Sequence, residues 1–363
     1  MSEKIKVGIT HGDINGVGYE VIIKTLLDNR MCELCTPIVY GSSRIAQEYK
    51  AGIAGAENFS FNLVSSAREA RPGKKPCLIN CVNQDLKAEP GKSTKTAGKA
   101  AVDALNAAVK DLKEGAIDVL VTAPISKENV QSESFNFTGH TEFLADAFSG
   151  EPIMIMCSEL LKVGLVTIHT PITKVIEGVT KQKIVEKIYQ LEKTLKQDFS
   201  IVKPRIAVFA LNPHAGDGGM LGTEENEIIT PAINEAIANK VLAFGPFPAD
   251  GFFAAASYKN YDGILAIYHD QGLAPFKALS PDGVNFSANL AYIRTSPDHG
   301  VAYDIAGKDV ADPSSMRAAI YSAIDIYRSR KNYKQISARP LRKYEREKGA
   351  DVSVKDLPES PEA

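Results

Sequence analysis

The sequence predicts an α/β protein with a largely parallel sheet, and three observations carry that prediction. Strand-like and helix-like segments alternate along the chain, the pattern that builds strand–helix–strand units. Runs such as IDVLVTAPI are apolar almost throughout, as in strands buried on both faces. The chain has 363 residues, too many for one small core, so two lobes are expected.

Taken in order, KIKVGIT reads as a first strand that stops at a glycine-bearing loop, and YEVIIKTLLDN as the helix after it. TPIVYG is strand-like and SSRIAQEYKAGI helical. From Thr94, the residues Ala97, Ala101, Ala104, Leu105, Ala108 and Leu112 recur at helical spacing on one face. A glycine stop leads into IDVLVTAPI. Then come the strand KVGLVTIHT, the helix KQKIVEKIYQLEKTLKQ, the strand RIAVFALN and a helix around ITPAINEAIANK. VLAFGPF and GILAIYH are further strands, and MRAAIYSAIDIYRSR is a late helix. Residues 1–135 plus 300–363 are expected to form one lobe and 136–299 the other, with a charged, proline-bearing flexible tail over about 345–363.

The composition is that of an ordinary globule, 44% hydrophobic and 24% charged with a net charge of −2. Such a balance lacks the basic footprint of a nucleic-acid binder and any electrostatic attraction to an acidic membrane. No apolar run reaches the roughly 18 to 20 residues of a spanning helix, and the first residues carry no secretory apolar segment. The five cysteines are an odd count in a large chain, so reduced thiols and a cytoplasmic location are expected.

All six histidines stand at or beside turn chemistry. His11, His169, His214 and His269 each follow an apolar strand, and ligands of open α/β sheets bind beyond strand ends, so these four are expected to converge on one crevice. His169, His214 and His269 are the best metal-binding trio, since neutral imidazoles suit zinc and its neighbours. Asp270 and Asp250 could orient such ligands. The spacing matches no local metal signature, and a strand-end histidine is equally at home as a hydrogen-bonding loop residue.

The turn ITHGDINGVGYEV places Gly12, Asp13, Gly16 and Gly18 between strand and helix, a candidate cofactor-binding segment although it is not GxGxxG. NPHAGDGGMLGTEE is long enough to face a ligand. Asn285 and Arg294, expected on either side of a short apolar strand, offer an amide and a bidentate guanidinium, and Lys277 a point charge.

Together GDINGVGYE, TAPISK, GHTEFLA, TIHTP, NPHAGDGGMLGTEE, GPFPAD, YHDQGLAPFK, GVN and IRTSPDHGVAYDIAGK resemble, in order, the family of 4-hydroxythreonine-4-phosphate dehydrogenases of pyridoxal phosphate biosynthesis. The resemblance covers roughly residues 5–330. It implies a two-lobed fold like that of isocitrate and isopropylmalate dehydrogenases, with an inter-lobe cleft. It also implies NAD or NADP as cofactor, and a divalent ion of the zinc, magnesium or cobalt class held by His169, His214 and His269. Residues from both subunits of a homodimer would complete each site. Substrate contacts are implied for His140, Thr141, Lys277, Asn285 and Arg294. Candidate catalytic proton acceptors are Lys277, Asp270 and a metal-bound water. Two departures stand out: the first loop reads GDINGVGYE where the family has GDPAGIGPE, and the segment from Lys277 to Asn285 is one residue short. A related branch oxidises phosphorylated four-carbon sugar acids. A metal-dependent hydrolase and a non-catalytic metabolite binder are the competing readings; NADH formation against phosphate release separates them.

Overall fold

The computed structural model describes residues 4–132, 135–137 and 139–338; the tail expected over 345–363 lies outside them. Twelve strands form one sheet: β1 (Lys6–Thr10), β2 (Thr36–Gly41), β3 (Asn62–Leu63), β4 (Cys77–Asn80), β5 (Val119–Thr122), β6 (Ile153–Cys157), β7 (Lys162–Leu165), β8 (Arg205–Phe209), β9 (Leu242–Phe247), β10 (Gly263–Ala266), β11 (Val284–Ala288) and β12 (Arg294–Pro297). Their order across the sheet is β3-β4-β2-β1-β5-β12-β11-β6-β7-β10-β8-β9. The expected α/β class and largely parallel sheet are found.

The ten α-helices are α1 (Gly18–Leu26), α2 (Arg30–Leu34), α3 (Ser43–Lys50), α4 (Lys95–Lys113), α5 (His140–Ala147), α6 (Lys181–Asp198), α7 (Thr230–Ala238), α8 (Ala249–Ala254), α9 (His269–Leu279) and α10 (Ser314–Ser337), counted among the described residues. Three of them start at side chains that accept the otherwise unpaired amides of a first turn. Ser42 caps α3 at Ile45, Thr94 caps α4 at Ala97, and Thr180 caps α6 at Lys183. The face read from the sequence for α4 is the buried one: Ala97, Ala101, Ala104, Leu105, Ala108 and Leu112 are all shielded from solvent.

Three pairings in the middle of the sheet are antiparallel: β12 with β11, β11 with β6, and β6 with β7. All others are parallel. Three reversals between β12 and β7 make the outer blocks run in opposite directions. The carboxyl ends of β7, β10 and β8 therefore lie at the edge opposite to those of β1 and β5. This overturns the expected convergence of four strand-end histidines. His11, after β1, is fully buried and stacked on Tyr19, with ring centroids 5.2 Å apart.

The Asn285–Arg294 stretch also differs from expectation. The two residues are not separated by a strand; each stands on one, and β11 and β12 form an antiparallel pair. No helix among the described residues is long and apolar enough to cross a membrane.

Candidate active site

Strand alternation builds the floor of the site. Register places Asn285 of β11 opposite Met156 of β6 and Ser296 of β12, and Ser287 opposite Met154. Met154, Met156, Asn285, Ser287, Arg294 and Ser296 thus present one face of three central strands. Leu273 and Phe276 of α9 pack with the two methionines and shut the apolar side. Over this floor lies a cavity of about 280 Å³, lined by residues that include His140, Thr141, His169, His269, Lys277, Asn285 and Arg294.

Arg294 is the strongest electrostatic feature. It is 3% exposed, and its guanidinium meets only hydroxyls: Nε and Nη2 donate to Thr122 Oγ1 at 3.0 and 2.6 Å, and Nη1 to Ser287 Oγ at 3.1 Å. Burial pulls its pKa down from the usual range to about 9, with Glu142 as the opposing negative charge. A buried cation with neutral hydrogen-bond partners favours an incoming anion, because water no longer solvates it. Beside it, His140 opens α5, and its Nε2 is covered and without a hydrogen-bond partner. Burial, then the Arg294 charge, holds this imidazole well below its usual pKa, so it is neutral. Packed rings of Phe135, Phe137 and Phe143 anchor the start of α5.

Helix α9 supplies two groups on one rod. His269 is its first residue, and Lys277 lies eight residues on, about 12 Å along the axis. His269 Nδ1 is 2.7 Å from Asp270 Oδ1, which leaves Nε2 for the cavity. Lys277 Nζ reaches Asp298 Oδ1 at 2.9 Å. His169 stands across from His269 with ring centroids 6.2 Å apart. Its Nε2 is 3.3 Å from Lys127 Nζ, and its Nδ1 is 3.5 Å from Glu142 Oε1.

Not every residue named from the sequence comes to this cavity. His214 follows β8, the neighbour of β10, but sits exposed on a loop whose backbone is left-handed from His214 to Gly218. Glu225 fixes that loop's base by accepting from the Leu211 and Asn212 amides at 2.8 Å each. Among the described residues no three His, Cys, Asp or Glu side chains form a group able to hold a metal. One chain thus offers two facing imidazoles, short of the three of a catalytic zinc site. Asp250 is exposed on α8, and Asp270 touches His269 without lining the cavity.

The candidate cofactor loop is closed packing rather than a cradle. A Cβ on Gly12 would stand 2.3 Å from the Pro124 oxygen, on Gly16 2.3 Å from Val301, and on Gly18 2.1 Å from the His11 oxygen. Asp13 is buried and bonded to the Asn15 amide, Asn129 Nδ2 and the Tyr303 hydroxyl at 2.8, 2.7 and 2.7 Å. These residues press loops together and none lines the cavity. Conversely, Thr122, Lys127, Glu142, Asp298 and His299 line it without having been singled out. All five lie inside motifs already noted: Thr122 and Lys127 in TAPISK, Glu142 in GHTEF, and Asp298 and His299 in SPDHG.

The family model described as pyridoxal phosphate biosynthetic protein PdxA matches residues 33–323. A 4-hydroxythreonine-4-phosphate dehydrogenase of Bacteroides thetaiotaomicron is 50% identical over 96% of this chain and 96% of its own. A relative from Oceanobacillus iheyensis whose name assigns it to D-threonate 4-phosphate is 38% identical over 90% of this chain and 99% of its own. The crystal structure of the Klebsiella pneumoniae 4-hydroxythreonine-4-phosphate dehydrogenase superposes with a TM-score of 0.77 at 32% identity, covering 90% of this chain and 98% of that one.

Proposed function

Because the chain belongs to the PdxA family of pyridoxal phosphate biosynthetic proteins, we propose that it oxidises 4-phosphooxy-L-threonine with NAD or NADP. The product, 2-amino-3-oxo-4-phosphooxybutanoate, loses CO2 to give 3-amino-2-oxopropyl phosphate. The enzyme is an oxidoreductase that uses a nicotinamide cofactor, and its place of work is the cytoplasm. One observation carries the reading to this cavity: a buried guanidinium satisfied only by hydroxyls lines the same space as a lysine and two facing imidazoles.

Arg294, with Asn285, His140 and Thr141, grips an anionic end of the substrate, phosphate or carboxylate, and so fixes the carbinol against the nicotinamide. Neutral His140 donates or accepts a hydrogen bond without adding charge. Lys277 holds its ammonium over the other side of the cavity and is the candidate that exchanges the hydroxyl proton; Asp270 keeps the His269 ring aligned. His169 and His269 fit part of a divalent-ion donor set, and His214 from a second copy of the chain is the third ligand in this reading. Such an ion supplies Lewis-acid stabilisation of negative charge at the carbinol oxygen and during decarboxylation. Lobes of 1–135 plus 300–363 and 136–299 are part of the same proposal.

NADH formation, with and without added divalent metal, tests it on 4-phosphooxy-L-threonine against D-threonate 4-phosphate and 4-phosphoerythronate. Turnover confined to the sugar acids would move the enzyme to the related branch, and phosphate release without NAD would make it a hydrolase.

A further inference from the structure

We propose that Asp298 is a positioning residue for the alcohol oxidation, acting through Lys277, an inference that rests on the functional reading above. Lysine carries four rotatable bonds, and an unrestrained one on a surface helix spends its time in water. Lys277 is half-exposed, yet its ammonium is held twice by one residue: Asp298 Oδ1 at 2.9 Å and the Asp298 main-chain oxygen at 3.0 Å. Two positions on Nζ are thereby committed to Asp298, and the remaining one, the third N–H of the ammonium or the lone pair of the amine that accepts the hydroxyl proton, is left for the cavity that both residues line.

Asp298 is itself fixed from behind. Its amide donates to Ser315 Oγ at 3.0 Å, and that hydroxyl donates to the Gly283 oxygen at 2.7 Å. Ser315 lies in the first turn of α10, and Gly283 immediately precedes β11. The ammonium on α9 is therefore located relative to the strand that carries Asn285, and through β12 relative to Arg294. The carboxylate is mostly buried, its side chain 15% exposed, so the contact is screened less than a surface ion pair. Asp298 touches the lysine and leaves the grip on the substrate to other residues.

A double-mutant cycle over Asp298→Asn and Lys277→Met, measured on 4-phosphooxy-L-threonine with NAD and metal, reads this directly. Asp298→Asn is expected to lower kcat about 10- to 100-fold with little change in KM, as for a displaced catalytic group. In the Lys277→Met background it should cost nothing more, because the group it positions is gone. Ser315→Ala, which frees only the main chain of Asp298, should show a smaller loss with the same dependence on Lys277. A second readout needs neither cofactor nor metal: acetylation of Lys277, followed by peptide mass spectrometry, should rise several-fold in Asp298→Asn. Additive losses in the cycle, or unchanged acetylation, would overturn the inference. A wild-type protein inactive on every phosphorylated acid would instead sink the functional reading, and the acetylation comparison would still decide the coupling.

Discussion

Arg294 shows how a side chain picked out from sequence gains meaning from its surroundings. An arginine after a short apolar stretch suggests an anion site; only the structure shows that its partners are Thr122 and Ser287. Arg294→Lys keeps the charge and loses the fork, so KM for the phosphorylated substrate should rise about tenfold or more, the cost of a bidentate contact, in steady-state assays. His11 gives a second residue-scale expectation. Burial holds its pKa at about 4 against 6.5, so the unfolded chain takes up a proton first as pH falls. Its contribution to stability is complete above pH 6.5 and is lost between 6.5 and 4, in total about 3 kcal/mol for a shift of this size. Urea midpoints across that window should drop in the wild type. The drop should shrink in His11→Asn; an identical profile in both would show that other groups set the acid limb. Nothing in THGD separated this buried ring from the histidines of the site, because each ends an apolar strand.

At the scale of elements, the long helices and doubly buried strands were legible, and the strands that form the site were not. β11 alternates Val284, Phe286 and Ala288 with Asn285 and Ser287, and its polar face is the cavity floor rather than solvent. β12, Arg-Thr-Ser-Pro, looks like a loop because its inward residues serve the site. A strand facing a binding cavity carries the pattern of a surface strand, so periodicity alone cannot tell the two apart. The glycine loop is hard to read for a related reason: glycine serves close packing as well as ligand approach. Gly18→Ala would force a Cβ to 2.1 Å from the His11 oxygen at the start of α1. It should destabilise by about 1–3 kcal/mol, as overpacking does. Thermal melting should fall by several degrees with KM for NAD little changed; a selective rise in that KM would restore the loop's cofactor role.

For the whole molecule, sequence supplied the class of fold but not the reversal in its middle. Strand direction is set by which segments pair, and nothing in the sequence of β6 or β11 says that they pair antiparallel with their neighbours and turn the sheet around. That reversal puts the ends of β7, β10 and β8 together while sending His11 to the other edge. It also leaves His214 on an exposed loop that does not line the cavity where His169 and His269 stand. The proposal that a second copy supplies the third imidazole makes a prediction about mixtures. His214→Ala and Lys277→Ala should each keep only a small residue of wild-type activity alone. After the two are unfolded together and refolded, half of the dimers would be mixed, and each mixed dimer would join one intact Lys277 to one intact His214 across the interface. Activity should therefore return to about a quarter of wild type on statistical association of a symmetric dimer. Recovery should appear only after subunit exchange and should vanish if the His214→Ala variant, whose subunit keeps the working cavity, also carries His269→Ala. Mixtures that stay at background would mean that each chain closes its metal site alone, by a rearrangement of the 212–222 loop.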